Sequence, residues 1–500
     1  MSAHDNEYDL LIIGGGINGA GIAADASGRG LKVLLCEQND LASATSSNSS
    51  KLIHGGLRYL ENYQFRLVRE ALREREVLLK KAPHIMWPLS FRLPHQAHLR
   101  PSWMIRVGLF IYDHLAKRDT LPASKTIKFD TNSILNNSIT HGFEYADGWV
   151  DDARLVILNA QAAHNLGATI ATRTRCIKAT RNADYWDVIL EQQASKQHLN
   201  IKAKSVVNAA GPWVASLFED VFTQPTPHTI RLVKGSHIVV PRLHNEPAAY
   251  ILQNKDNRIV FVIPYEQDYS LIGTTDEEYT GDITDVKISE KEIQYLISIT
   301  NHYFNNAISA ADIVHSFSGV RPLLDDKSTD AQAVTRDYKL ILNNDTDHAA
   351  LLSVFGGKIT TYRKLAENAV NKLAPFYPKM SGSWTKDAPL PGGDFSNQTY
   401  LTAQLESSYP WLAIDTLKRM VRSYGTLSYQ LLGNSQSIGD LGYHFGHGLY
   451  AQEVDYLVNH EWARTSADIL WRRTKLGLRF SEKQVIALGQ YLTKHPACHS

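Results

Sequence analysis

The sequence predicts an α/β fold: a discontinuous Rossmann-like dinucleotide-binding domain, an antiparallel-sheet domain and a C-terminal, mainly helical domain. Three observations carry this. An apolar strand runs straight into a glycine turn and a helix at Tyr8 to Gly30, short strands with turns between them fill Thr229 to Gly273, and helical patterns follow the Pro/Gly linker PLPGGDF near Pro389.

Tyr8 to Ile13 is almost wholly apolar, as a strand buried on both faces of a parallel sheet should be. Gly14, Gly16 and Gly19 follow in GxGxxG order. The first permits a tight turn, the second lets a pyrophosphate approach the backbone, and the third lets the helix pack on the strand. The helix N-terminus then faces the anion. A second apolar strand, Leu31 to Cys36, ends at Glu37, 18 residues past Gly19, where an acid can accept from both ribose hydroxyls of an adenine dinucleotide. The unit therefore binds FAD or NAD.

Five hundred residues, 43% of them hydrophobic, suffice for two or three domains. A net charge of +1, from 52 basic and 51 acidic residues, argues against a nucleic-acid partner. The three cysteines, Cys36, Cys176 and Cys498, are odd in number and form no CxxC, so neither a disulfide framework nor a metal site is expected. The N-terminus MSAHDNEYD is acidic and soon reaches the first strand, so no signal or transit peptide is expected. No window has the length of a membrane span. Trp103 to Tyr112 is apolar apart from Arg106 and Gly108 and is edged by Arg100, Lys117 and Arg118, which suits either a buried core helix or a membrane-interface helix.

Phe65 to Ala82 reads as an amphipathic helix ended by Pro83, and Asp151 to Leu166 as another helix. Between them the chain breaks into Pro-punctuated pieces, as an insertion would. Ala168 to Ile170, Cys176 to Thr180, Tyr185 to Leu190 and Ile201 to Ala209 read as strands, the last running into Ala210, Gly211 and Pro212. SVFGGKITTYRKLAENAV again passes from strand through Gly356 and Gly357 into a helix. These readings assign 1–82, 151–228 and 318–388 to the dinucleotide domain, 83–150 and 229–317 to a substrate-binding cap, and 389–500 to the C-terminal domain.

Between Glu37 and HGGLRY lies SATSSNSSK, small and hydroxylated enough to wrap a diphosphate. Ile13 to Gly30, with Asp25 and the Arg29–Gly30 pair, resembles the signature of FAD-dependent glycerol-3-phosphate dehydrogenases of the aerobic, respiratory type. Gly356, Gly357, Lys358, Tyr362, Arg363 and Ala366 match that family's GGKxxxYRxxA pattern, and HGGLRYLE, LVKGSH, GTTD and SGVRPL resemble further family blocks. The likeness covers about 1–370 well and the C-terminal domain more loosely.

The resemblance implies oxidation of sn-glycerol 3-phosphate to dihydroxyacetone phosphate by hydride transfer from C2 to FAD. FAD contacts are expected at Gly14, Gly16, Asn18, Gly19, Glu37, Ser46, Ser47, Lys51, Leu52, His54, Gly55, Cys176, Ala210, Gly211, Gly357, Lys358, Ile359 and Thr360. A dianionic substrate calls for cations, and Arg58, Arg321, Arg336 and Lys358 are expected around it, with Tyr59, Thr274 and Thr275 as hydrogen-bonding partners. The C2 hydroxyl needs a base: His237 is the first choice and Lys358 its rival, while Arg321 suits polarising the developing oxygen. The resemblance further implies electrons passed to membrane quinone, a peripheral position on the cytoplasmic face of the inner membrane, and a homodimer. An oxidase using oxygen and a related flavin-dependent amine oxidase are the competing activities.

Overall fold

The computed structural model describes residues 6–273, 276–324, 337–343 and 348–498, with Arg58 and Asn62 described by backbone alone. Thr274, Thr275, Arg336 and the side chain of Arg58 therefore lie outside the described residues.

The first sheet has the order 339–343, 350–355, 198–208, 7–13, 33–36, 169–171, with the hairpin 174–181/186–192 folded off one strand. Glu7–Ile13 runs parallel to both His198–Asn208 and Val33–Cys36, and Leu10, Leu11 and Ile12 have no exposed surface. That explains the unbroken apolar run, because each side of the strand meets core. Each such buried side chain contributes about 1.5–3 kcal/mol. The helix Ile17–Gly28 lies against Asp152–Asn165 and Tyr362–Leu373. Its small residues allow this close packing: a Cβ on Gly21 would lie 2.8 Å from the Tyr362 ring. The sheet draws on three separate stretches of chain, as a discontinuous domain should.

The second sheet is mainly antiparallel, in the order 277–278, 230–241, 269–273, 259–265, 249–253, 86–94, 141–150, 52–53. Its 86–94 and 141–150 strands come from the Pro-punctuated stretch. His315–Leu324 also belongs here, paired along its whole length with Ile230–Pro241. The boundary placed at 318 thus falls inside a strand: the glycine of SGVRPL, assigned with 318–388 to the dinucleotide domain, sits in this second sheet, the roof of the cleft.

The C-terminal domain packs the helices Gln398–Ser408, Ile414–Tyr424, Ala451–Glu461 and Glu482–Leu492 on a separate core that includes Leu405, Leu417, Met420 and Val454. The helical pattern at Ser466 to Lys475 is realised as a π-helical turn, Asp468–Arg473. This stretch bridges the other two domains. Lys475 Nζ bonds Asp151 at 2.9 Å, and Trp471 stacks on His315 with ring centres 4.0 Å apart.

Candidate functional site

The two sheets meet over a cleft of about 510 Å³, which opens where Ile13, Cys36 and Ala209 end or follow parallel strands. Ligands of open α/β sheets bind at such carboxyl ends. Gly14 has φ +115°, and a Cβ there would lie 2.6 Å from Ala209 O, so the glycine turn and the AAGPW turn come together only without a side chain. Gly19 lies one turn inside the helix, where a Cβ would fall 1.9 Å from Gly14 O. It keeps helix and turn in contact and does not line the cleft.

Glu37 lines the cleft with its carboxylate braced by backbone N–H groups, Gly15 N to Oε2 and Asn39 N to Oε1, each at 2.7 Å. Burial raises its pKa while these donors oppose the shift. The far wall comes from the GGK motif. Gly356 and Gly357 have φ +76° and +109°, Asn18 Nδ2 donates to Gly356 O at 3.2 Å, and Thr360 Oγ1 accepts from His54 N at 3.3 Å. Two motifs far apart in sequence thus close one site.

The serine-rich run forms the floor. Ser46 Oγ accepts from Ile17 N at 3.0 Å, and Thr45 Oγ1 donates to Val320 O at 2.6 Å. Lys51 does not line the cleft. Its ammonium is buried, donating to Asp152 Oδ1 at 2.7 Å and to Ser47 O at 3.0 Å, while Asp152 Oδ2 accepts from Ser49 Oγ at 2.7 Å. A loop that looks free in sequence is therefore pinned from behind. Ser47 offers its carbonyl to this bridge, and Gly55 offers its N–H to Tyr112 OH at 2.8 Å; neither lines the cleft.

On the roof, His237 and Phe317 are directly opposed across the antiparallel pair and stack with ring centres 4.9 Å apart. The alternation of a strand then sends Gly319 and Arg321 to the same face as Phe317. His237 Nε2 lies 2.9 Å from Ser50 Oγ. Burial, Lys51 and Arg321 push its pKa down to about 3, so the imidazole is neutral and its proton-accepting form is the one populated. Arg321 is ion-paired with Asp276. Lys358 also lines the cleft, its Nζ 3.9 Å from the centre of the Tyr59 ring.

The remaining expected residues Leu52, His54, Tyr59, Cys176, Ala210, Gly211 and Ile359 also line the cleft. Sequence reasoning missed Ser50, Asp152, Asp276 and Phe317. Asp276 stood within a recognised block, GTTD, but nothing marked it as the partner of Arg321.

A family model for FAD dependent oxidoreductases matches residues 9–363. The chain belongs to the FAD-dependent oxidoreductase family. A model of the C-terminal domain of alpha-glycerophosphate oxidase matches residues 383–490, so the family's architecture extends past the motif region. The glycerol-3-phosphate dehydrogenase of Pseudomonas aeruginosa is 57% identical, over 98% of this chain and 96% of its own length. The aerobic glycerol-3-phosphate dehydrogenase of Escherichia coli is 54% identical, over 97% of each. A D-erythritol 1-phosphate dehydrogenase of Brucella abortus is 49% identical over 98% of each. Among solved structures, the glycerol-3-phosphate dehydrogenase from Bacillus halodurans complexed with FAD matches with a TM-score of 0.73 at 25% identity, covering 98% of this chain and 94% of its own. FAD is the cofactor of this family. The cleft suits it: side-chain-free backbone at Gly14 and Gly357 for the pyrophosphate, and an acid at Glu37 for the ribose.

Proposed function

We propose that this chain oxidises sn-glycerol 3-phosphate at C2 to dihydroxyacetone phosphate and passes the electrons to membrane quinone. Bound FAD supplies the hydride acceptor. His237 takes the proton of the C2 hydroxyl, Arg321 stabilises the negative charge growing on that oxygen, and Arg58, Arg336 and Lys358 hold the phosphate. The observation that carries this reading is the meeting of a neutral, buried imidazole and the Arg321 cation on one sheet face, above glycine turns fit for a pyrophosphate. The names of the 57% and 54% identical relatives support the substrate.

Among the described residues no helix is long and apolar enough to cross a membrane. The helix Ser102–His114 instead buries only Leu109 and Tyr112 fully and exposes Trp103, Met104, Val107, Phe110 and Ile111. At its C-terminal end the exposed cations Arg69, Arg73 and Lys117 line one groove with Asp113 and His114. This favours the interfacial reading over the buried-core one, because aromatic residues suit headgroup depth and cations suit anionic lipid. The chain then sits peripherally on the cytoplasmic face, as a homodimer whose mass light scattering measures.

The test is anaerobic addition of glycerol 3-phosphate to the holoenzyme while flavin absorbance is followed. Bleaching supports the reading; no bleaching sinks it. D-erythritol 1-phosphate is the comparator, and a higher kcat/KM for it would replace the substrate. Peroxide formed in step with substrate use would mark an oxidase, and bleaching by glycine or sarcosine an amine oxidase.

A further inference from the structure

Among the described residues none of the C-terminal domain lines the cleft, yet this domain is ion-paired to the loop that follows Glu37. Asp40 follows Glu37 by three residues and is 3% exposed. Both its oxygens are occupied from the C-terminal domain: Oδ2 by Arg472 Nε at 2.6 Å and by Arg473 Nη1, and Oδ1 by Arg473 Nη2 at 3.0 Å. Arg473 is wholly buried and also donates to Glu461 O.

These arginines close the π-helical turn Asp468–Arg473. Such turns interrupt the regular helical ladder and recur at functional sites. Asp468, at its start, accepts from Arg173 Nη2 at 2.5 Å, and Arg173 N donates to Asn39 O at 2.8 Å. Asn39 N in turn donates to Glu37 Oε1. The loop from Glu37 to Asp40 is thus gripped twice: through its main chain by Arg173, and through Asp40 by Arg472 and Arg473.

A buried ion pair is a poor way to gain stability, since apolar packing of equal volume does as well or better. It does fix geometry, because a guanidinium that donates to both oxygens, as Arg473 does, holds a carboxylate in one orientation. We propose that Arg472 and Arg473 are positioning residues that set the ribose-binding loop through Asp40, so that the C-terminal domain governs how tightly FAD is held. This rests on the reading of Glu37 as the ribose acceptor.

The experiment is the rate of FAD release from diluted holoenzyme, read as the rise of free-flavin fluorescence. Arg472→Gln and Asp40→Asn are expected to release FAD about ten-fold faster, the scale of one charge-assisted hydrogen bond. Arg472→Lys, which keeps the charge but not the fork, falls between. KM for glycerol 3-phosphate in excess FAD stays put, as a general loosening of the fold would not allow. Because Arg473 is wholly buried, Arg472, on the more accessible side of the same carboxylate, carries the test. If Glu37→Gln releases FAD faster while Arg472→Gln and Asp40→Asn match the parent, the clamp is wrong. If Glu37→Gln also matches the parent, the ribose assignment itself falls, and the clamp with it.

Discussion

His237 and Gly273 are Cα partners across two antiparallel strands, and a Cβ on Gly273 would lie 2.2 Å from His237 Cδ2. The imidazole occupies the space that a side chain at residue 273 would take. Because that Cβ would also lie 2.7 Å from the backbone Ser236 O, Gly273→Ala should shift this strand pair as well as turn His237 away from Ser50. The expected result is a large loss of kcat with flavin content unchanged; flavin absorbance per mole of protein together with stopped-flow reduction checks it.

His237→Gln should lower the rate of flavin reduction by about 10²–10⁴, the usual worth of a positioned base. A variant reducing flavin at the parental rate would move the base to Lys358.

The pH dependence has a definite sign. The His237 pKa falls from 6.5 to about 3 on folding, through burial first and then the Lys51 and Arg321 charges. The unfolded chain thus binds a proton below pH 6.5 that the folded chain refuses. This group's contribution to stability is complete above pH 6.5 and is lost progressively as pH falls toward 3. The acid limb of kcat/KM arising from His237 should accordingly lie below pH 5. A limb centred near 6.5 would contradict the buried, neutral imidazole.

Lys51→Met should destabilise the protein by about 3–5 kcal/mol, because it leaves Asp152 buried and uncompensated. Chemical denaturation measures this. FAD affinity should fall as well, since Asp152 also holds Ser49 of the floor loop.

Trp103→Glu with Phe110→Glu, at side chains 66% and 60% exposed, should leave the fold intact and abolish sedimentation with anionic vesicles. Activity with a soluble dye acceptor should persist. Vesicle binding that survives the double change would remove the interfacial role of this helix.

The cofactor cradle was legible in the linear chain because its logic is local. A strand, a glycine turn, a helix and an acid a fixed distance on are contiguous, and their spacing follows from backbone geometry at Gly14 and Gly19. The second glycine motif was legible for the same reason, and it lines the same cleft as the first. His237, Arg321 and Lys358 were recognisable as residue types within recognisable blocks. Only tertiary structure decided what surrounds them. Asp152 reaches Lys51, Asp276 reaches Arg321, and Phe317 lies under His237 through pairings between distant segments, which leave no periodic mark in sequence. The same holds for the apolar helix Ser102–His114, whose composition suits core and interface alike. Its exposure depends on which face the neighbouring strands leave uncovered. Spacing along the chain marked the glycine turns that line the cleft; packing between segments decided that His237 is buried and neutral and which surface of the helix Ser102–His114 faces outward.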